Sequence, residues 1–168
     1  MSLRERLSEE KEKAGFISVK VLEHLITPTS VQQLLGLSPE PTGGDFERAL
    51  AKSLPRARKL LAVLVLAELE SYIPLIITQG ITDDIFPIES LQTIPPLDSK
   101  EEAMLFKEQW SIPPVLQSEK HLQLPEGALL PFLQKKLVDS GSFGIVYRVK
   151  LAKGHLDSRW SGQSEVCR

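Results

Sequence analysis

The stretch from Leu137 to Leu151 limits what this chain can fold into more than any other. Two β-prone runs flank a turn of small residues, Ser140-Gly141-Ser142-Phe143-Gly144. In the second run Ile145, Tyr147, Val149 and Leu151 alternate with Val146, Arg148 and Lys150, which puts the two sets on opposite faces of a strand. The expectation is an antiparallel β-hairpin with Ser140 to Gly144 as its loop. Its glycines would stand where a positive φ or a close backbone approach is needed.

Most of the chain before it has helical spacing. Charges crowd Arg4 to Lys13, and Phe16, Val19, Leu22 and Ile26 follow at helical intervals, with Gly15 placed to break or bend the helix. Thr27-Pro28-Thr29 is read as its end, and Ser30 to Gln33 as the capping box of a short helix closed by Gly36. Asp45 is expected to cap the next helix, and Pro55 to start another that runs through the apolar stretch Leu60 to Leu69. A short helix from Glu70 to Gln79 should close at Gly80. Thr82-Asp83-Asp84 should open a helical turn, and Ser99 to Glu102 should cap a helix that carries Met104, Leu105, Phe106 and Trp110 on one side.

Composition then narrows the class. With 168 residues, 42% of them hydrophobic and 25% charged, the chain reads as globular. A net charge of -2 gives no global electrostatic case for nucleic acid or an anionic membrane. One cysteine, Cys167, rules out an internal disulfide framework and suits a reducing compartment. The most apolar segment, Leu60 to Ile77, carries Glu68 and Glu70, so it reads as buried helix and not as a membrane span. An intracellular, cytoplasmic protein is expected.

Catalytic patterns are sparse. The three histidines, His24, His121 and His155, have no partner at metal-ligand spacing, and no nucleophile elbow occurs. Arg56, Arg58 and Lys59 are read as exposed residues leading into the apolar helix, with phosphate binding as the competing reading. Asp83-Asp84 is explained by capping better than by acid/base or metal chemistry.

The turn is the exception. Gly141-x-x-Gly144-x-Val146 matches the last part of G-x-G-x-x-G-x-V, the loop that covers ATP phosphates between two antiparallel strands. Bare glycine backbone can approach phosphates where a side chain would hold it away. A dinucleotide fingerprint would have to open a helix, and a Walker loop needs Gly-Lys-Ser/Thr, so neither fits. The position of the first glycine is Asp139, whose carboxylate should weaken nucleotide binding. The alternative is an ordinary hairpin turn.

The hairpin resembles the start of a serine/threonine protein kinase domain. The region before it resembles the helical N-terminal segment of kinase-like proteins from filamentous fungi. The resembling pieces are Arg56-Ala57-Arg58-Lys59, Gly80 to Pro87, Phe106 with Gln109-Trp110, and Leu130-Pro131-Phe132, in that order over about two thirds of the chain. The resemblance implies ATP as ligand and protein serine or threonine as substrate. It places Val138, Gly141, Ser142, Phe143, Gly144 and Val146 in the nucleotide-contacting loop, with Mg2+ bound once a kinase domain is complete.

Lys150 and Lys153 stand too close to the loop to be the phosphate-pairing lysine of a following strand, so no catalytic residue is assigned. The sequence therefore leads to a mainly α fold of several short helices followed by a hairpin that begins a kinase N-lobe. Residues 1–26 are an N-terminal helix, 27–112 a helical domain, 113–132 an irregular linker, 133–152 the hairpin and 153–168 a poorly ordered tail. The expected function is that of an N-terminal fragment of a kinase-like phosphotransferase, inactive alone. The alternative is a helical protein-interaction or regulatory module without nucleotide binding, its partner unidentified.

Overall fold

The computed structural model describes residues 1–37, 44–88, 96–117, 123, 124, 126, 128–142 and 144–156. Among these are seven α-helices and one two-stranded antiparallel sheet, so the chain is mainly α with a C-terminal hairpin. The helices are α1 (Leu3–Ala14), α2 (Val19–Leu25), α3 (Pro28–Leu34), α4 (Asp45–Ser53), α5 (Arg58–Leu66), α6 (Ile73–Gln79) and α7 (Ser99–Glu108). The strands are β1 (Phe132–Gly141) and β2 (Gly144–Leu151). No described helix is long and apolar enough to cross a membrane.

Helix α5 is the centre of the core. Every residue from Leu60 to Val65 is buried, so the helix is apolar all round and is wrapped by its neighbours. Leu7 of α1, Leu22 and Leu25 of α2, Leu50 of α4, Ile73, Ile76 and Ile77 of α6 and Leu105 of α7 complete the cluster. A carboxylate at α7 ties the first helix to the last: Lys11 Nζ lies 2.7 Å from Glu108 Oε2, which also accepts from Ser111 Oγ at 2.6 Å. Gln109, buried, holds the Ile88 backbone on both sides, accepting its N–H at 2.8 Å and donating to its carbonyl at 3.3 Å.

Helix ends follow local chemistry, with several shifts from the expected residue. Gly15 ends α1 at φ 78° and Gly80 ends α6 at φ 68°, both left-handed positions that suit glycine. Residues 1–26 thus hold two helices. Thr27 does not close the helix before it but caps α3, with Pro28 in the first turn and Ser30 at the third position. Asp98, one residue before the expected Ser99, forms the capping box with Glu101. Gly44 precedes α4, so Asp45 is its first residue and pairs with Arg48. The apolar helix stops at Leu66, and Glu68 then takes φ 63°.

The hairpin ladder runs from Phe132↔Leu151 to Gly141↔Gly144, with irregularities at Leu133 and Val138. Ser140, Gly141 and Gly144, expected in the loop, belong to the strands. Tyr147, Val149 and Leu151 are half-buried while Arg148 and Lys150 are exposed, in keeping with the alternation. Lys135 lies over the Tyr147 ring at 4.0 Å.

At the base the hairpin is tied to the helices. Ala152 N–H donates to Pro131 O at 2.9 Å, and Leu116 N–H to His155 O at 2.9 Å. The lack of order expected from Lys153 onward does not hold for residues 153–156, because His155 is fully buried against α2. The rest of the expected tail, 157–168, lies outside the described residues, as does most of the proline-containing segment 90–98.

Candidate functional site

Two places carry chemistry. The first is the hairpin tip. Gly144 adopts φ 146°, a region that L side chains rarely enter, whereas Gly141 has no such requirement. A Cβ at either would meet nothing within 4 Å, so the backbone here is open to a ligand's approach. Val138 and Val146 are exposed, and Gly141, Ser142 and Gly144 are exposed with them; Phe143 lies outside the described residues. The Asp139 carboxylate accepts the Ser140 N–H at 2.8 Å and so turns back on its own strand. These residues do not fit a metal: among the described residues no group of three or more His, Cys, Asp or Glu could hold one.

The second place is a cavity of about 400 Å³ between α2, the start of α5, the Asp83 turn and the segment after α7. Leu22, Phe86, Trp110, Ile112 and Pro113 give it apolar walls, and Arg58, Lys59, Asp83 and Glu23 also line it. Sequence reasoning placed Trp110 in the core and Lys59 on the surface. Both are half-buried and face this cavity instead.

The polar groups there are organised by α5. Ala57 offers no side-chain cap, and Asp83 supplies one from a distant turn. Asp83 Oδ2 accepts Lys59 N–H at 3.1 Å and Oδ1 accepts Leu60 N–H at 2.8 Å. Burial pushes the Asp83 carboxyl up, against the pull of those two N–H groups and of the Lys59 charge. The expected capping role is therefore real, but it serves another helix. Asp84 is exposed, accepting from Thr82 Oγ1 at 2.7 Å and pairing with Arg56 at 2.5 Å.

Lys59 is the unusual group. Its Nζ lies 4.3 Å from the centroid of the Phe86 ring, and among the described residues no carboxylate oxygen comes within ion-pair distance of it. Burial pushes its pKa down to about 8, partly offset by Asp83. Arg58 is held by a bond from Nε to Ile26 O at 3.4 Å.

His155 stands behind the same wall. Val19 N–H, in the first turn of α2, donates to His155 Nε2 at 3.1 Å, and Nδ1 lies 3.2 Å from Pro114 O. The two partners require a neutral ring with its proton on Nδ1. Burial holds its pKa below the ordinary value, and the Lys59 charge adds to that. Phe16 packs edge-on against it at 6.1 Å. No local pattern marks this histidine, because its partners lie 136 and 41 residues away.

No protein-family model matches this chain, and neither a curated protein nor a solved structure does.

Proposed function

We propose that the hairpin is the opening of the nucleotide-covering sheet of a serine/threonine protein kinase-like protein, preceded by a helical unit. The observation that carries this reading is the bare hairpin: Leu133, Leu137, Val138, Ile145 and Val146 are between 42% and 60% exposed. A two-stranded ribbon is marginal alone and gains stability from further strands or a covering helix. Apolar side chains at this density suit a sheet that continues, as a kinase N-lobe does.

In this reading ATP lies against Val138, Gly141, Ser142, Phe143, Gly144 and Val146. The strands named here supply neither the phosphate-pairing lysine nor the metal-binding carboxylates, so phosphoryl transfer needs partners from a complete kinase domain. Protein serine or threonine is the substrate class, and the cytoplasm the compartment.

The test follows backbone amide resonances during titration with MgATP. Saturable shifts at Gly141, Ser142 and Gly144 are expected, weak because one side of the nucleotide is uncovered. Gly141→Ala should remove them while leaving the hairpin folded, since Gly141 needs no special φ. Unmoved resonances would end the nucleotide reading and leave the helical interaction module.

A further inference from the structure

The cavity beside Lys59 is separate from the hairpin tip and asks for a different ligand. We propose that it binds a small apolar monocarboxylate whose anionic group pairs with the Lys59 ammonium. Its volume of about 400 Å³ falls in the range of small-molecule sites, roughly 300–1,000 Å³. Its walls are Leu22, Phe86, Trp110, Ile112 and Pro113, which suit a flat or aliphatic body.

The head group follows from hydrogen-bond accounting. Asp83 spends both oxygens on the backbone of α5. Arg58 commits Nε to the end of α2, and its remaining N–H groups border the cavity beside Lys59 as a second cation. Lys59 has three donors and, among the described residues, an aromatic face but no hydrogen-bonded acceptor. A partly buried ammonium in that state gains most from a charged acceptor brought by a ligand.

The same lining restricts the charge. Asp83 and Glu23 border the cavity and offset the charges of Lys59 and Arg58, so the lining is near neutral and suits a single carboxylate better than a phosphate or other multiply charged anion. An apolar body with one negative charge satisfies Lys59 without crowding either carboxylate.

Calorimetry on the full chain tests this with 2-naphthoate as probe and 2-naphthamide as its neutral twin. The wild type should bind naphthoate saturably and more tightly than the amide. Lys59→Met keeps the apolar stem and removes the charge. It should weaken naphthoate by roughly tenfold or more, the range of a charge-assisted bond, and leave the amide within about twofold.

In the wild type the naphthoate affinity should also fall between pH 7 and 9.5, as Lys59 loses its proton. This arm needs no variant and stands even if Lys59→Met folds poorly. Absence of saturable naphthoate binding, equal binding of the two probes, or a flat pH profile overturns the site. Gly141→Ala should leave naphthoate binding unchanged, so this result is independent of the fate of the nucleotide reading.

Discussion

Asp83 caps Leu60. The carboxylate oxygen and the N–H it accepts lie 2.8 Å apart and 23 residues apart in sequence, and a second oxygen takes the N–H of Lys59. The central helix of the core thus starts on a residue from outside its own segment. Two orphan donors at a helix N-terminus are satisfied by one side chain that also favours the helix dipole.

Asp83→Ala should lower stability by about 1–2 kcal/mol, the usual cost of losing a cap. Asp83→Asn keeps an acceptor and removes a buried charge, so it should lose clearly less. Asp84→Ala breaks an exposed pair with Arg56 and should cost much less than Asp83→Ala. Urea unfolding of the three variants gives the order directly. An Asp83→Ala loss no larger than that of Asp84→Ala would remove the capping account.

His155 predicts a pH dependence. Its native pKa is lowered, so the unfolded chain takes the proton first as pH falls below the ordinary histidine value of 6.5. Stability is unaffected by this group well above pH 6.5 and is lost on acidification, with a limiting slope of about 1.4 kcal/mol per pH unit. The loss levels off below the native pKa. Unfolding at pH 7.5 and 5.5 should show a larger drop for the wild type than for His155→Leu; equal drops would refute the buried neutral ring.

Glu108 acts with the opposite sign. Burial opposes its charge, but Lys11 and Ser111 outweigh burial and hold its pKa below the ordinary glutamate value of 4.5. Its contribution is present above pH 4.5 and disappears as pH falls through the lowered native value. Glu108→Gln should cost about 1 kcal/mol at pH 7 and low salt, with little difference from the wild type at pH 2.5. Denaturant midpoints at the two pH values check it.

The two hairpin glycines should behave differently. Gly144 holds φ 146°, so Gly144→Ala should destabilise the hairpin by about 1–2 kcal/mol through strain. Gly141→Ala meets open space in an ordinary backbone conformation and should change hairpin stability little. Amide exchange along β1 and β2 separates the two: similar losses of protection would contradict the backbone description.

Local chemistry was legible in the sequence, and long-range chemistry was not. Gly15 and Gly80 mark helix ends because a left-handed cap leaves a residue-level sign. The alternation after Gly144 marks β2, because a strand repeats every two residues. Asp98 was missed by one position because Ser99 presents the same signature, Ser-x-x-Glu, as Asp98-x-x-Glu101.

The Lys59 cavity and the His155 anchor have no such sign. Lys59 sits in a basic run that looks solvated, and Phe86 reaches its ammonium only once the Asp83 turn has folded onto α5. His155 lies in a polar stretch with no periodicity, and its burial depends on α2 and Pro114 meeting there. Composition and spacing describe neighbours along the chain; these sites are made of neighbours in space.

The fastening at the foot of the hairpin has a mechanical consequence. β1 and β2 project from a clamp where Ala152 holds Pro131 and His155 holds the first turn of α2. Whatever presses on the ribbon applies a torque at that clamp. His155 is bonded there to Val19, which is also a wall of the Lys59 cavity, so the foot of the ribbon and that cavity share a residue.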